Sequence, residues 1–139
     1  MDARLGLLAE YASVSEDGKL NVLGIFDQFN AEQFPAGLPI FYVVVSFFVG
    51  PAEFGVEKLV TVLLHDADGN ELLRSEQRAT VPRPALAGIR GTLNVVNGFA
   101  GIGFTHEGNY QFSAVVDGRT EISVPLYVTQ IGDAANARA

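Results

Sequence analysis

Apolar and polar residues alternate with a period of two along most of the chain, and no stretch of helical period 3.6 is long enough to compete. Runs rich in Val, Ile, Phe, Tyr and Leu, each bounded by Gly, Pro, Asn or Asp, predict eight strands: residues 5–14, 19–29, 40–49, 56–65, 71–81, 90–99, 110–116 and 120–128. Asp17-Gly18 between the first two runs is a strong hairpin signal, because Gly accepts a positive φ. A second hairpin is predicted at Asp66-Ala67-Asp68-Gly69-Asn70, and Asp117-Gly118 turns the chain between the last two strands. Pro82, Pro84 and Gly88 mark an irregular crossing of the kind that changes sheets. The expected architecture is all-β: one antiparallel β-sandwich of about eight strands, Greek-key in part. Residues 1–131 are expected to form the domain and residues 132–139, small and polar without a periodic face, a frayed tail.

The last third alternates most strictly. Tyr110, Phe112, Ala114 and Val116 share one face, as do Ile122, Val124, Leu126 and Val128 on the next strand. The segment leading into Tyr110 resembles the tyrosine corner of immunoglobulin-like domains, in which a Tyr hydroxyl bonds backward to the main chain. That resemblance implies an immunoglobulin-like C-terminal third and a structural role for Tyr110.

One strand breaks the alternation. Residues 40–49 are apolar at nearly every position, with Ile40, Tyr42, Val44 and Phe48 on one face and Phe41, Val43, Val45, Phe47 and Val49 on the other. Strand geometry cannot send both sets into one core, so the strand is expected to lie centrally in its sheet with its second face covered. A lid formed by the loop of residues 31–38 would serve. A subunit contact through Ile40, Tyr42, Val44 and Phe48 is the favoured reading, since large exposed apolar patches mark contacts, and it implies a homo-oligomer, most simply a dimer.

The chain has 139 residues, a single-domain length, with 48% of them hydrophobic, which excludes bulk disorder. A net charge of -7 opposes phosphate backbones and anionic lipid surfaces, so neither nucleic acid nor membrane is expected as a partner. The absence of cysteine removes disulfides, thiolate nucleophiles and Cys-based metal sites and suits a cytoplasmic protein. The N-terminal stretch lacks the apolar core of a signal peptide, and the apolar run of residues 40–49 is half a membrane span.

Candidate chemistry is sparse. Asp66-x-Asp68-x-Asn70 begins like a calcium loop, but Glu71 stands where such a loop needs Gly and Gln77 where it needs a bidentate Glu, so it reads as a turn. His106 and Glu107, joined across the fold by His65 or Asp27, form the best local acid-base cluster, without a nucleophile elbow, a Walker loop or a metalloprotease motif. They are expected to be partly exposed loop residues. No catalytic, metal or cofactor residues are therefore assigned.

Two stretches, Gly18-Lys19-Leu20-Asn21-Val22-Leu23-Gly24-Ile25-Phe26-Asp27 with the preceding Leu8-Ala9-Glu10-Tyr11-Ala12, and Glu107-Gly108-Asn109-Tyr110-Gln111-Phe112 through Val116-Asp117-Gly118, resemble an uncharacterised family of short bacterial and phage-associated proteins. The resemblance implies a small all-β protein without an assigned activity. The expected function is a non-catalytic structural or protein-interaction module that self-associates. The alternative is a small-molecule or carbohydrate-binding domain using the loops 31–38, 81–89 and 100–109, and a hydrolase-type enzyme ranks third.

Overall fold

The computed structural model describes residues 1–131; the expected tail lies outside them. Eleven strands are present among the described residues, joined by turns and one short 3₁₀ segment, Pro51–Glu53. They are β1 (Asp2–Val14), β2 (Leu20–Phe26), β3 (Gln28–Ala31), β4 (Ala36–Leu38), β5 (Phe41–Val49), β6 (Glu57–His65), β7 (Glu71–Thr80), β8 (Gly91–Phe99), β9 (Ile102–Phe104), β10 (Gly108–Val116) and β11 (Arg119–Gln130). The protein is all-β.

A four-stranded sheet has the order β2-β1-β5-β8, a five-stranded sheet the order β3-β11-β10-β6-β7, and β4 with β9 forms a two-stranded ribbon. Three strands exceed the expected eight. Two of them, β4 and β9, are three-residue segments too short for periodicity to register. The third, β3, arises because the run after the first hairpin divides at Asp27, leaving the four-stranded sheet to pair with β11 of the other. That pair is parallel, so the expected all-antiparallel pairing holds everywhere except here.

The strand at residues 41–49 is central, as its composition requires. β5 pairs with β1 on one side and β8 on the other, and sends Phe41, Val43, Val45, Phe47 and Val49 into the core. The five-stranded sheet answers with Val60, Val62 and Leu64 from β6, Tyr110, Phe112, Ala114 and Val116 from β10, and Ile122, Val124, Leu126 and Val128 from β11. The rings of Phe41 and Phe112 meet edge-on at 5.8 Å, which places the two sheets face to face. Full burial of each such side chain is worth about 1.5–3 kcal/mol, so this interleaved layer is the main source of stability. Gly6 is required where β1 crosses β11, because a Cβ there would collide with Ile122 Cγ2.

The first hairpin forms at Asp17-Gly18 with regular β1–β2 register from Val14↔Leu20 to Leu8↔Phe26, but β1 pairs with β5 only as far as Ala9↔Tyr42, so the half toward the turn extends beyond that pairing. Gly24, level with Glu10, has φ +72°, a conformation that strains any residue with a Cβ. Beyond it the ribbon folds back across the outer face of β5 and β8. Asn94 Nδ2 donates to the Gly18 carbonyl at 3.4 Å, Tyr11 meets Tyr42 edge-on at 5.8 Å, and Val14, Asp17 and Gly18 line a cleft with Arg90, Thr92 and Asn94.

Candidate functional site

The folded-back hairpin decides what the second face of β5 can do. Val44 and Ser46 point away from the main core yet are wholly buried, as is Ala9 on β1, and Ser46 Oγ donates to Asn94 Oδ1 beneath the hairpin tip. Val44 is therefore not an exposed contact residue. A lid within the chain covers it, and the lid is the β1–β2 hairpin instead of the loop 31–38, whose Phe34 and Leu38 pack against the main core. Tyr42 is half-buried against Tyr11 and Gly98. Phe48 is half-buried under two guanidinium groups, with Arg90 at 4.1 Å and Arg4 at 5.7 Å from its ring centre, and Asp2 pairs with Arg90 at 2.6 Å. Of the four expected contact residues, Ile40 alone is well exposed, at 59%, and it precedes the strand.

A different apolar surface is open. Tyr11, Leu23 and Ile25 are 51, 69 and 65% exposed. Leu23 pairs directly with Tyr11, and Ile25 with Ala9, so all three share one face of the hairpin. Ser13 and Asn21 flank them without charge and Ala9, opposite Ile25, is buried; the nearby Glu10 side chain lies over Gly24 on the opposite face. β2 is an edge strand, and beside Ile25 a groove of about 350 Å³ runs between it and β11, lined by Leu8, Phe26, Asp27, Val124 and Pro125 among others. The sequence carried a signal for this face that periodicity alone did not separate. Leu20, Val22, Leu23 and Ile25 place apolar residues at both parities, as in β5, which means that one set has no core to enter.

The acid-base candidates are held by local structure. His106 and Glu107 are exposed. The His106 ring is bonded to Thr105 Oγ1 at 3.0 Å, and Glu107 Oε2 accepts from the Gln130 backbone N–H at 3.0 Å, which ties the loop to the last strand. Tyr110 Oη donates to the His106 carbonyl at 2.8 Å, the backward bond expected of a tyrosine corner. Burial, and after it the Asp66 charge, push the Tyr110 phenol above its ordinary value. His65 stands on β6 opposite Gln111, and Asp27 lies at the sheet switch, where its carbonyl accepts from Tyr127 N–H.

At the Asp66 hairpin both carboxylate oxygens serve the turn. Oδ1 accepts from the Asp68 and Asn70 backbone N–H groups, and Oδ2 from Asn70 Nδ2. The bond from the Asn70 side chain is the main reason that the Asp66 carboxyl titrates below the ordinary range. No cluster of three metal-ligating side chains occurs among the described residues. The three loops expected to share a ligand cleft do not converge. Residues 36–38 pair with 102–104 near the Phe41 and Phe99 end of the four-stranded sheet, whereas residues 81–89 lead into Gly91 at its other end, beside Val49.

A model of a family of unknown function (DUF6941) matches residues 4–129. No curated protein matches the chain. Among solved structures, a β-glucosidase from Listeria innocua in complex with isofagomine aligns at 9% identity and a TM-score of 0.45, over 75% of this chain. The chain corresponds to 15% of the length of that enzyme.

Proposed function

The chain belongs to DUF6941, a family of unknown function, and from that premise we propose that it is a non-catalytic structural or protein-interaction module that forms a dimer through the hairpin face of Tyr11, Leu23 and Ile25. The carrying observation is the exposure of these three large apolar side chains, side by side, on a face that has no charge. Together they leave on the order of 300 Å² of apolar surface in water, the scale at which monomer patches tend to be functional. A second copy of the chain is the occupant for an electrostatic reason. At a net charge of -7 two copies repel through most of their surface, and this uncharged face is where they approach at least cost. A two-fold contact uses the same patch twice, and its modest area makes it a weak, micromolar dimer.

The non-catalytic part of the reading is supported by the commitment of Glu107 to Gln130, and the Asp66 carboxylate, the calcium-loop candidate, is likewise committed to its own turn. We read the facing sheets as a Greek-key sandwich with an immunoglobulin-like C-terminal third, a reading that the Tyr110 to His106 bond supports. A cytoplasmic, bacterial or phage-associated setting completes it, in keeping with a cysteine-free chain. Sedimentation velocity of the unmodified chain and of a Leu23→Ala/Ile25→Ala variant tests the proposal: the first associates with rising concentration and the second remains monomeric. Monomers in both cases refute it.

A further inference from the structure

On the side of the five-stranded sheet facing away from the core, three adjacent strands bring together a group of neutral polar and aromatic side chains. Tyr127 on β11 pairs with Asn109 on β10, and Gln111 on β10 pairs with Pro125 on one side and His65 on the other. Their neighbours Tyr110, Phe112, Leu126 and Leu64 enter the core, so strand alternation turns this set outward. The five residues line a shallow depression of about 510 Å³, together with Asp66 and others of its turn.

The chemistry of the lining is specific. Tyr127 is 42% exposed, enough to present a ring surface. Gln111 Nε2 donates to Ser113 Oγ at 3.3 Å and to Ser123 Oγ at 3.2 Å, which fixes the amide, and Oε1 has no hydrogen-bond partner among the described residues. The Asn109 amide, the Tyr127 hydroxyl and the His65 ring have no side-chain hydrogen-bond partner among the described residues. An aromatic face packs on the C–H surface of a pyranose ring, and amides with free donors and acceptors read adjacent hydroxyls. Strand spacing and rise set Tyr127 and His65 about 12 Å apart, a distance that two linked hexose rings span. The Asp66 carboxylate and the net charge of -7 oppose phosphate and uronate groups.

We propose that this depression binds a neutral oligosaccharide, with one ring stacked on Tyr127, the Asn109 and Gln111 amides on its hydroxyls, and the next ring reaching His65. The hairpin residues Tyr11, Leu23 and Ile25 lie on the other sheet and do not line this depression, although Pro125 borders both it and the groove beside Ile25.

The test is calorimetric titration of the full chain with cellohexaose, maltohexaose and chitohexaose as neutral probes and an oligogalacturonate as the charged control. At least one neutral probe binds with a Kd between about 10 μM and 5 mM. Tyr127→Ala weakens that binding at least about 10-fold, while Tyr127→Phe, which keeps the ring, stays within about 3-fold. Gln111→Ala, an exposed substitution, weakens it as well and carries the test if Tyr127→Ala does not fold. Leu23→Ala/Ile25→Ala leaves the titration unchanged. The proposal is overturned if no neutral probe binds at about 5 mM, if only the galacturonate binds, or if binding survives loss of both Tyr127 and Gln111.

Discussion

Replacing Ile25 by Ala separates a contact residue from a core residue. Ile25 is 65% exposed in the single chain, so the fold already draws little from it. Full burial of an Ile side chain is worth about 2.5 kcal/mol, and the exposed two-thirds leaves about 1.6 kcal/mol to be gained when a second copy covers it. Ala retains roughly a third of that, so each copy loses about 1 kcal/mol. The residue occurs twice in a two-fold contact, which doubles the loss to about 2 kcal/mol, or about 30-fold in Kd. Leu23, at 69% exposure on the same face, acts in the same way. The double variant should weaken association by somewhat less than the product of the two effects, because adjacent side chains share a contact. Sedimentation velocity over about 1–500 μM, a range centred on the expected weak affinity, reads the dissociation constants, and thermal unfolding of the monomer should move by less than about 3 °C. An unchanged dissociation constant in the double variant would refute the argument. So would a loss of folding, since it would place these side chains in a core that the fold does not contain.

Val44→Lys should behave in the opposite way: it buries an unpaired charge beneath the hairpin and should lower the melting temperature by more than about 8 °C, whereas an unaffected fold would mean that the hairpin does not cover it. Gly6→Ala should cost about 1–3 kcal/mol in denaturant unfolding, because its Cβ meets Ile122 where β1 crosses β11; a neutral effect would contradict that close approach. Tyr110→Phe removes the bond to the His106 carbonyl and should cost about 1 kcal/mol of stability, with no loss if the corner is not formed in solution. Acid should weaken the Asp66 turn in a defined window. Its folded-state carboxyl titrates below the ordinary value, so the turn's contribution is complete above that value and vanishes as pH falls through the lowered one; an NMR titration of the Asn70 amide following an ordinary carboxylate pKa would contradict it.

What the sequence made legible were features encoded within a few residues. Asp17-Gly18 and Asp117-Gly118 placed turns by the φ they demand, and the apolar residues 40–49 announced a central strand. The Tyr110 bond is what the segment's resemblance to a tyrosine corner implied. Relations between distant segments were not legible. β4 and β9 are ribbons of three residues inside what read as loops, and they exist because each finds the other. The run from Leu20 onward looked continuous because its apolar residues do not reveal that Asp27 switches the chain from one sheet to the other. The candidate contact shows the same limit. Alternation proves that the Val44 face must be covered but does not name the cover, and the covering hairpin turns on one positive φ at Gly24 whose consequence is felt at Asn94. With that face closed, the unmatched apolar positions of β2 become the exposed set.

The most direct test of the central claim is a pair of ¹H–¹⁵N correlation spectra of the unmodified chain at low and high concentration, with sedimentation on the same samples. The account predicts concentration-dependent amide shifts concentrated at residues 9–13 and 21–25, together with growth from the 14.9 kDa monomer toward twice that mass. Superimposable spectra with a mass fixed at 14.9 kDa would contradict it, as would association whose shifts fall elsewhere on the surface.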